Sequence, residues 1–145
     1  MYTIEQEYYV MKPAVQVISA AVQSLYKNCG NELNIQVPAL GVDYKPTFKA
    51  SGAKVISQGN GFVTIIPTDR KVKIQVLNNG TLIDELDFSV KKVPSAEIVC
   101  NLDPKLGVTS NKLRRVVLTA KVPSDFSEPL PKESRYQVTK WKAYL

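Results

Sequence analysis

Apolar residues recur at every second position through most of the chain. Val15 and Val17 alternate with polar or small neighbours between Ala14 and Ser19. Leu33, Ile35 and Val37 oppose Asn34 and Gln36, and Val72, Ile74 and Val76 oppose Lys71, Lys73 and Gln75. A period of two places successive side chains on opposite faces, so these runs predict strands with one wet face. Phe62 to Ile66 is apolar but for Thr64 and predicts a further strand. Turn signals fall between the runs. Asn79-Gly80 supplies the two positive φ angles of a tight two-residue loop, so Arg70 to Asn78 and Thr81 to Val90 are predicted to form one long hairpin. The glycines at 59 and 61 are predicted to join Lys54–Ser57 to Phe62–Pro67. One helical turn is expected from Thr109 or Ser110 through Arg114, after which the β-branched run at 116–119 returns to a strand.

The apolar beats that must face one another predict a core of Val17, Leu33, Ile35, Val37, Phe48, Val63, Ile65, Val72, Ile74, Val76, Leu86 and Phe88. An internal echo sets the domain scale. YYVMKPA, from Tyr8, and FSVKKVPSA, from Phe88, share an aromatic, a valine, lysine and proline, and lie about 80 residues apart, close to the length of one immunoglobulin-like module. Proline is poorly tolerated inside a central strand, so each echo reads as a last strand running into a linker, with junctions at Pro13 and Pro94. The expected fold class is all-β: an immunoglobulin-like β-sandwich at residues 13–93, followed by the start of a second, incomplete β domain at 94–145. Residues 1–12 read as the terminal strand of a preceding module, which makes the chain a slice of a tandem array. Its outermost strands, Met1 to Val10 and Arg135 to Leu145 with a bulge near Thr139 or Lys140, are expected to expose unpaired edges and drive association.

Composition narrows the chemistry. The 145 residues are 44% hydrophobic, enough for a packed core. No window reaches the roughly 18 apolar residues of a membrane helix. MYTIEQEYYV lacks the pattern of a signal peptide, so an export signal or anchor is expected to lie outside this sequence. The net charge is +6. The lysines and arginines mostly occupy polar beats of strands or linkers, which reads as a solvated face rather than a nucleic-acid site; a basic docking face for an acidic protein is the alternative. There is no histidine, which removes Ser-His-Asp and Cys-His nucleophiles, histidine-ligated metals and a histidine general base together. Cys29 and Cys100 cannot build a structural zinc site. They read as two independent, half-buried thiols, with a bridge as the alternative in an oxidising compartment.

Three local patterns resemble chemistry. Ser24 to Lys27 matches S-x-x-K but lacks that motif's companion elements and sits among strands. Asn79-Gly80-Thr81 is formally a glycosylation acceptor, better explained by the hairpin. Asp84, Glu85 and Asp87 have neither calcium-loop spacing nor a paired-acid arrangement. No catalytic, cofactor-binding or metal-ligating residue is assigned, and no cofactor is expected.

From Tyr2 to Ile98 the chain resembles the periplasmic region of the GldM/PorM family of gliding-motility and type IX secretion proteins. Tyr8 to Pro13 followed by Val15-Gln16-Val17-Ile18-Ser19 is similar to that family's junction between β domains. Leu25-Tyr26, then Cys29-Gly30-Asn31-Glu32-Leu33-Asn34-Ile35-Gln36-Val37-Pro38, is similar to its signature, carried here by Tyr26, Asn31, Leu33, Ile35, Val37 and Pro38. Phe88 to Pro94 is similar to its exit into the last domain. Glu32 stands where the family usually has proline, and Cys29 has no counterpart. The resemblance implies a dimeric, non-enzymatic periplasmic stalk, anchored in the inner membrane by a segment not in this sequence. It also implies two partners, an inner-membrane motor subunit and an outer-membrane-associated ring of lipoproteins. The turn at 27–31 is then a fold signature. A carbohydrate-binding or adhesin-type sandwich is the second reading, with Tyr8, Tyr9, Tyr26, Tyr44, Tyr136, Trp141 and Tyr144 as candidate contacts.

Overall fold

The computed structural model describes residues 2–6, 12–19, 24–102 and 116–142. The chain divides into two compact units, Met1–Lys91 and Lys92–Leu145.

The first unit is an immunoglobulin-like sandwich. Its strands are β1 (Gln16–Ile18), β2 (Ser24–Tyr26), β3 (Asn31–Gln36), β4 (Pro46–Ser51), β5 (Ala53–Gly59), β6 (Phe62–Pro67), β7 (Lys71–Asn78) and β8 (Thr81–Lys91), with a 3-10 segment at Pro38–Asp43. They form two four-stranded sheets, a first in the order β1-β3-β6-β5 and a second in the order β2-β8-β7-β4. The β7–β8 hairpin turns on Asn79 and Gly80 at φ 48° and 82°, and Asn78 pairs with Thr81. A register shift between Val76 and Leu77 skips Ile83, so β8 carries a bulge two residues from the turn. β4 passes to β5, and from one sheet to the other, at Gly52, whose carbonyl accepts hydrogen bonds from the Thr68 and Asp69 amides at 2.9 and 3.1 Å.

Alternation on both sheets sends one set of side chains inward. Leu33 faces Val63 across β3 and β6, and Ala50, Ile74 and Leu86 line up across β4, β7 and β8. The core is Leu25, Leu33, Ile35, Phe48, Val63, Ile65, Val72, Ile74, Val76 and Phe88, with Val17 and Leu86 half-buried at its margin. Val37 is buried as well. Leu25, fully buried, is absent from the sequence-derived core because a three-residue strand is too short to display a period.

In the second unit β9 (Glu97–Cys100) pairs antiparallel with β10 (Leu118–Lys121). The short helix α1 (Ser124–Ser127) follows, with Phe126 fully buried and Leu130 nearly so. Pro123 starts this turn, its carbonyl accepting from the Phe126 and Ser127 amides.

Several expectations change. The strand expected over 14–19 shrinks to β1, because the backbone ladder to β3 covers only Gln16 to Ile18, opposite Gln36 to Asn34. Residues 2–6 form no strand, and the rest of that expected terminal strand lies at positions outside the described residues, as does the helical turn expected at 109–114. Residues 135–142 form no strand, since no strand among the described residues pairs with them, and the bulge placed near Thr139 or Lys140 has no ladder to interrupt; positions 143–145 of that expected strand lie outside the described residues. Neither cysteine is in a disulfide; Cys29 is buried and Cys100 exposed, so the two are not alike.

Gly61 and Gly80 both lie near φ 83°, yet their surroundings differ. A Cβ at Gly61 would overlap the Ile35 carbonyl and the Gln36 side chain, while at Gly80 it would meet open space. Gly80→Ala is expected to cost only the left-handed backbone penalty of about 1–2 kcal/mol. Gly61→Ala adds the displacement of β3 and should cost at least about 2 kcal/mol more. Urea unfolding of the two variants side by side checks the difference.

Candidate functional site

The turn from β2 into β3 is built around one buried amide. Asn28 takes the left-handed conformation at φ 58°, which folds the chain back so that Asn31 points inward with 1% of its surface exposed. Its Oδ1 accepts the Tyr26 amide proton at 2.8 Å. Its Nδ2 donates to the carbonyls of Cys29 at 2.8 Å, Tyr26 at 3.0 Å and Ile65 at 3.2 Å. Tyr26 belongs to the second sheet and Ile65 to the first, so one side chain joins the two layers. Tyr26, Leu33, Ile35 and Val37 are buried as well, while Pro38 is exposed and opens the 3-10 segment. Every residue of the signature but Pro38 is therefore interior and faces no solvent-accessible ligand site. Pro13 and Pro94 are half-buried in the first and second units respectively.

The two outer faces of the sandwich differ in chemistry. On the second sheet, register aligns Lys49, Gln75 and Glu85 in one row and Ser51, Lys73 and Asp87 in the next. Glu85 accepts from Gln75 Nε2 at 2.8 Å and from Lys73 Nζ at 3.2 Å. The Gln75 hydrogen bond first, then the Lys73 bond and charge, hold its carboxyl below the usual range, and the same pairing raises Lys73. Asp84 lies apart from this face's network. It accepts from Lys12 Nζ at 2.7 Å and from the Glu85 amide, which lower its pKa in that order. Two carboxylates of the acidic run, Asp84 and Glu85, are thus held in separate surface pairings.

The outer face of the first sheet is nearly uncharged and sets large apolar side chains among polar ones. Ile18, Asn34 and Phe62 form one row, and Glu32, Thr64 and Ile56 the next. Ile18, Phe62 and Ile56 are 60%, 49% and 43% exposed. Around them Gln36 donates to Asn34 and to the Asn60 carbonyl, and Gln58 to Thr64. The charged side chains within these strands are Glu32 and Lys54. This face was not singled out from sequence. The signal was present, however: Ile56, Phe62 and Ile66 occupy beats where alternation calls for polar residues.

The concavities are shallow. One of about 160 Å³ is lined by Lys49, Ala50, Ser51, Lys73 and Gln75. Another, of about 370 Å³, is lined by Lys71, Val72, Asp87, Phe88 and Ser89. Among the described residues no cluster of three or more acidic or cysteine groups is placed to hold a metal. Ser24 of the S-x-x-K match lies in a strand, its hydroxyl 3.4 Å from that of Ser89. The aromatic candidates differ in their surroundings. Tyr26 is buried, and Tyr44 donates its hydroxyl to the Ile35 carbonyl at 2.7 Å, with burial raising its pKa. Tyr136 and Trp141 are exposed in the second unit, and Tyr8, Tyr9 and Tyr144 lie outside the described residues.

The family model for the GldM third domain matches residues 14–91, more than half of the chain. No curated protein matches it.

Asn31→Asp would set a carboxylate against three carbonyl oxygens. It is expected to cost about 3–5 kcal/mol, as an uncompensated buried charge does, and more than Asn31→Ala by denaturant unfolding. Asp84 and Glu85 titrate lower folded than unfolded, so their contribution is complete above the carboxylate range and is lost as pH falls through it. Lys73 titrates higher, so its contribution is lost only in strong base. With no histidine between these limits, scanning calorimetry should find a flat melting temperature from about pH 5 to 8 and a shallow decline below about pH 4.

Proposed function

The chain belongs to the GldM family of structural, periplasmic-domain components of the gliding and type IX secretion machinery, and from that premise we propose that it carries force rather than catalyses a reaction. On this reading it is a periplasmic stalk segment held to the inner membrane by a separate anchor. It couples a membrane motor subunit to an outer-membrane-associated ring of lipoproteins and works as a homodimer without a cofactor. Residues 13–93 serve as one sandwich module and 94–145 as the opening of the next. The match over 14–91 carries the proposal. The interior position of Tyr26, Asn31, Leu33, Ile35 and Val37 supports it, because the residues that mark the domain are spent on building it.

The surface assigned to the second copy is the outer face of the first sheet. Contact surfaces are depleted of charge at their centre and enriched in aromatic and apolar groups, as Ile18, Ile56 and Phe62 make this one. Charge favours a copy of the same chain there. Glu32 and Lys54 cancel, so two chains of net charge +6 can meet on this face without like-charge repulsion. The second sheet's face carries Lys49, Lys71, Lys73, Glu85 and Asp87, more charge to strip of water on contact.

Deleting the gene in the bacterium that carries it should abolish type IX cargo delivery and gliding; intact secretion in the deletion strain removes the functional assignment. Sedimentation equilibrium tests the interface separately. Phe62→Asp is expected to weaken dimerisation at least tenfold, the equivalent of one lost anchor of about 1.4 kcal/mol. A dimer that persists places the interface elsewhere, and a wild-type monomer leaves this face to a different protein.

A further inference from the structure

The order of the strands decides how the first unit bears tension. β2 runs parallel to β8, with Ser24 opposite Ser89, Leu25 opposite Val90 and Tyr26 opposite Lys91. β2 belongs to the N-terminal part of the unit, and β8 is its last strand. A pull on the two ends therefore draws β2 toward its own N-terminus and β8 toward its own C-terminus. In a parallel pair these directions oppose one another along the strand axis, so the bonds between the strands are loaded together, in shear. An antiparallel pair held at the same ends would be loaded from one side and would open bond by bond.

The pair is reinforced where it ends. The Lys27 amide donates to the Lys91 carbonyl at 2.9 Å, extending the contact past β2, and the Asn28 amide donates to the Pro67 carbonyl of β6 at 2.9 Å. Asn31 grips Tyr26 by both its amide and its carbonyl and ties it to Ile65. Leu25 is fully buried in the core. To slide, β2 must break its bonds to β8, release the Asn31 amide and pull Leu25 out of the core in a single event. Losing β1, three residues on the rim of the first sheet, releases none of these.

We propose that β2, β8 and the Asn31 anchor form a shear clamp that makes the first unit resist extension along the chain. The use of such a clamp rests on the force-carrying reading above. Its existence does not, and a measurement on the purified chain separates the two: a clamp that fails leaves the deletion phenotype untouched, and a missing phenotype leaves the clamp intact.

Optical tweezers holding the whole chain by its two ends load the clamp in shear. Opening of the first unit is recognised by the release of residues 24–91, roughly 20 nm of chain. A second attachment, at Thr81→Cys in a Cys100→Ser background with the N-terminal handle kept, pulls β2 and β8 from the same side and peels them. The force for the first unit is then expected to fall by about half, because bonds of ordinary strength break in turn rather than together. Equal force in the two geometries overturns the proposal. Lys27→Pro removes the donor to Lys91 without touching the core, and should speed unfolding about tenfold under end-to-end load, the factor one ordinary hydrogen bond represents. An unchanged rate in that variant also overturns it. Should Lys27→Pro fail to fold, the comparison of the two geometries, which leaves the clamp residues unaltered, decides alone.

Discussion

The four hydrogen bonds of Asn31 are the constraint on which the sandwich depends. A β-sandwich holds its two layers together by side-chain packing, which is strong but non-directional. Here one amide adds direction: it satisfies both backbone groups of Tyr26 while reaching Ile65 on the opposite sheet. Burying an amide is costly unless it is paired, and this one is paired at both Oδ1 and Nδ2. The register of β2 follows, since Tyr26 can occupy only the position where its amide and carbonyl meet the Asn31 side chain. The left-handed Asn28 and the buried Cys29 are further results of the same fold-back.

With that joint in place, the division of labour between the faces is physical. The second sheet presents lysines and carboxylates that partner one another across β7 and β8 and keep the surface solvated. The first presents isoleucine and phenylalanine within a frame of amides. A protein built to be gripped by other proteins needs a dry face of this kind, and one built for a small ligand needs a concavity. The two shallow depressions described above both lie on the second sheet.

Much of the first unit was legible because its longest strands alternate cleanly. β3 and β7 alternate over six or more residues, β8 alternates from Glu85 to Val90 beyond its bulge, and both turns between adjacent strands carry glycines at positive φ. Legibility failed where length failed. β1 and β2 have three residues each, and α1 only four, so none completes enough periods to stand out. Tyr26 looked like a free aromatic because its burial depends on a contact with β8, some 65 residues later in the chain. The role of Asn31 was hidden for the same reason. Its signature position was visible, but a hydrogen bond to Ile65 is a tertiary fact. The apolar outer face was readable in principle from Ile56 and Phe62, which break the alternation they sit in.

The pairing of β2 with β8 also bears on the time course of folding. Every other neighbour in the second sheet is closer in sequence, and the β7–β8 hairpin, closed by a two-residue loop, is local enough to form within microseconds. β2 has no partner strand in its own sheet until β8 exists, and closing that long loop carries the largest entropic cost in the unit. During synthesis the turn around Asn31 therefore leaves the ribosome well before its last partner strand. The same residues that lock the layers together are the last to find their places, and the nascent module stays open along one edge until its final strand is made.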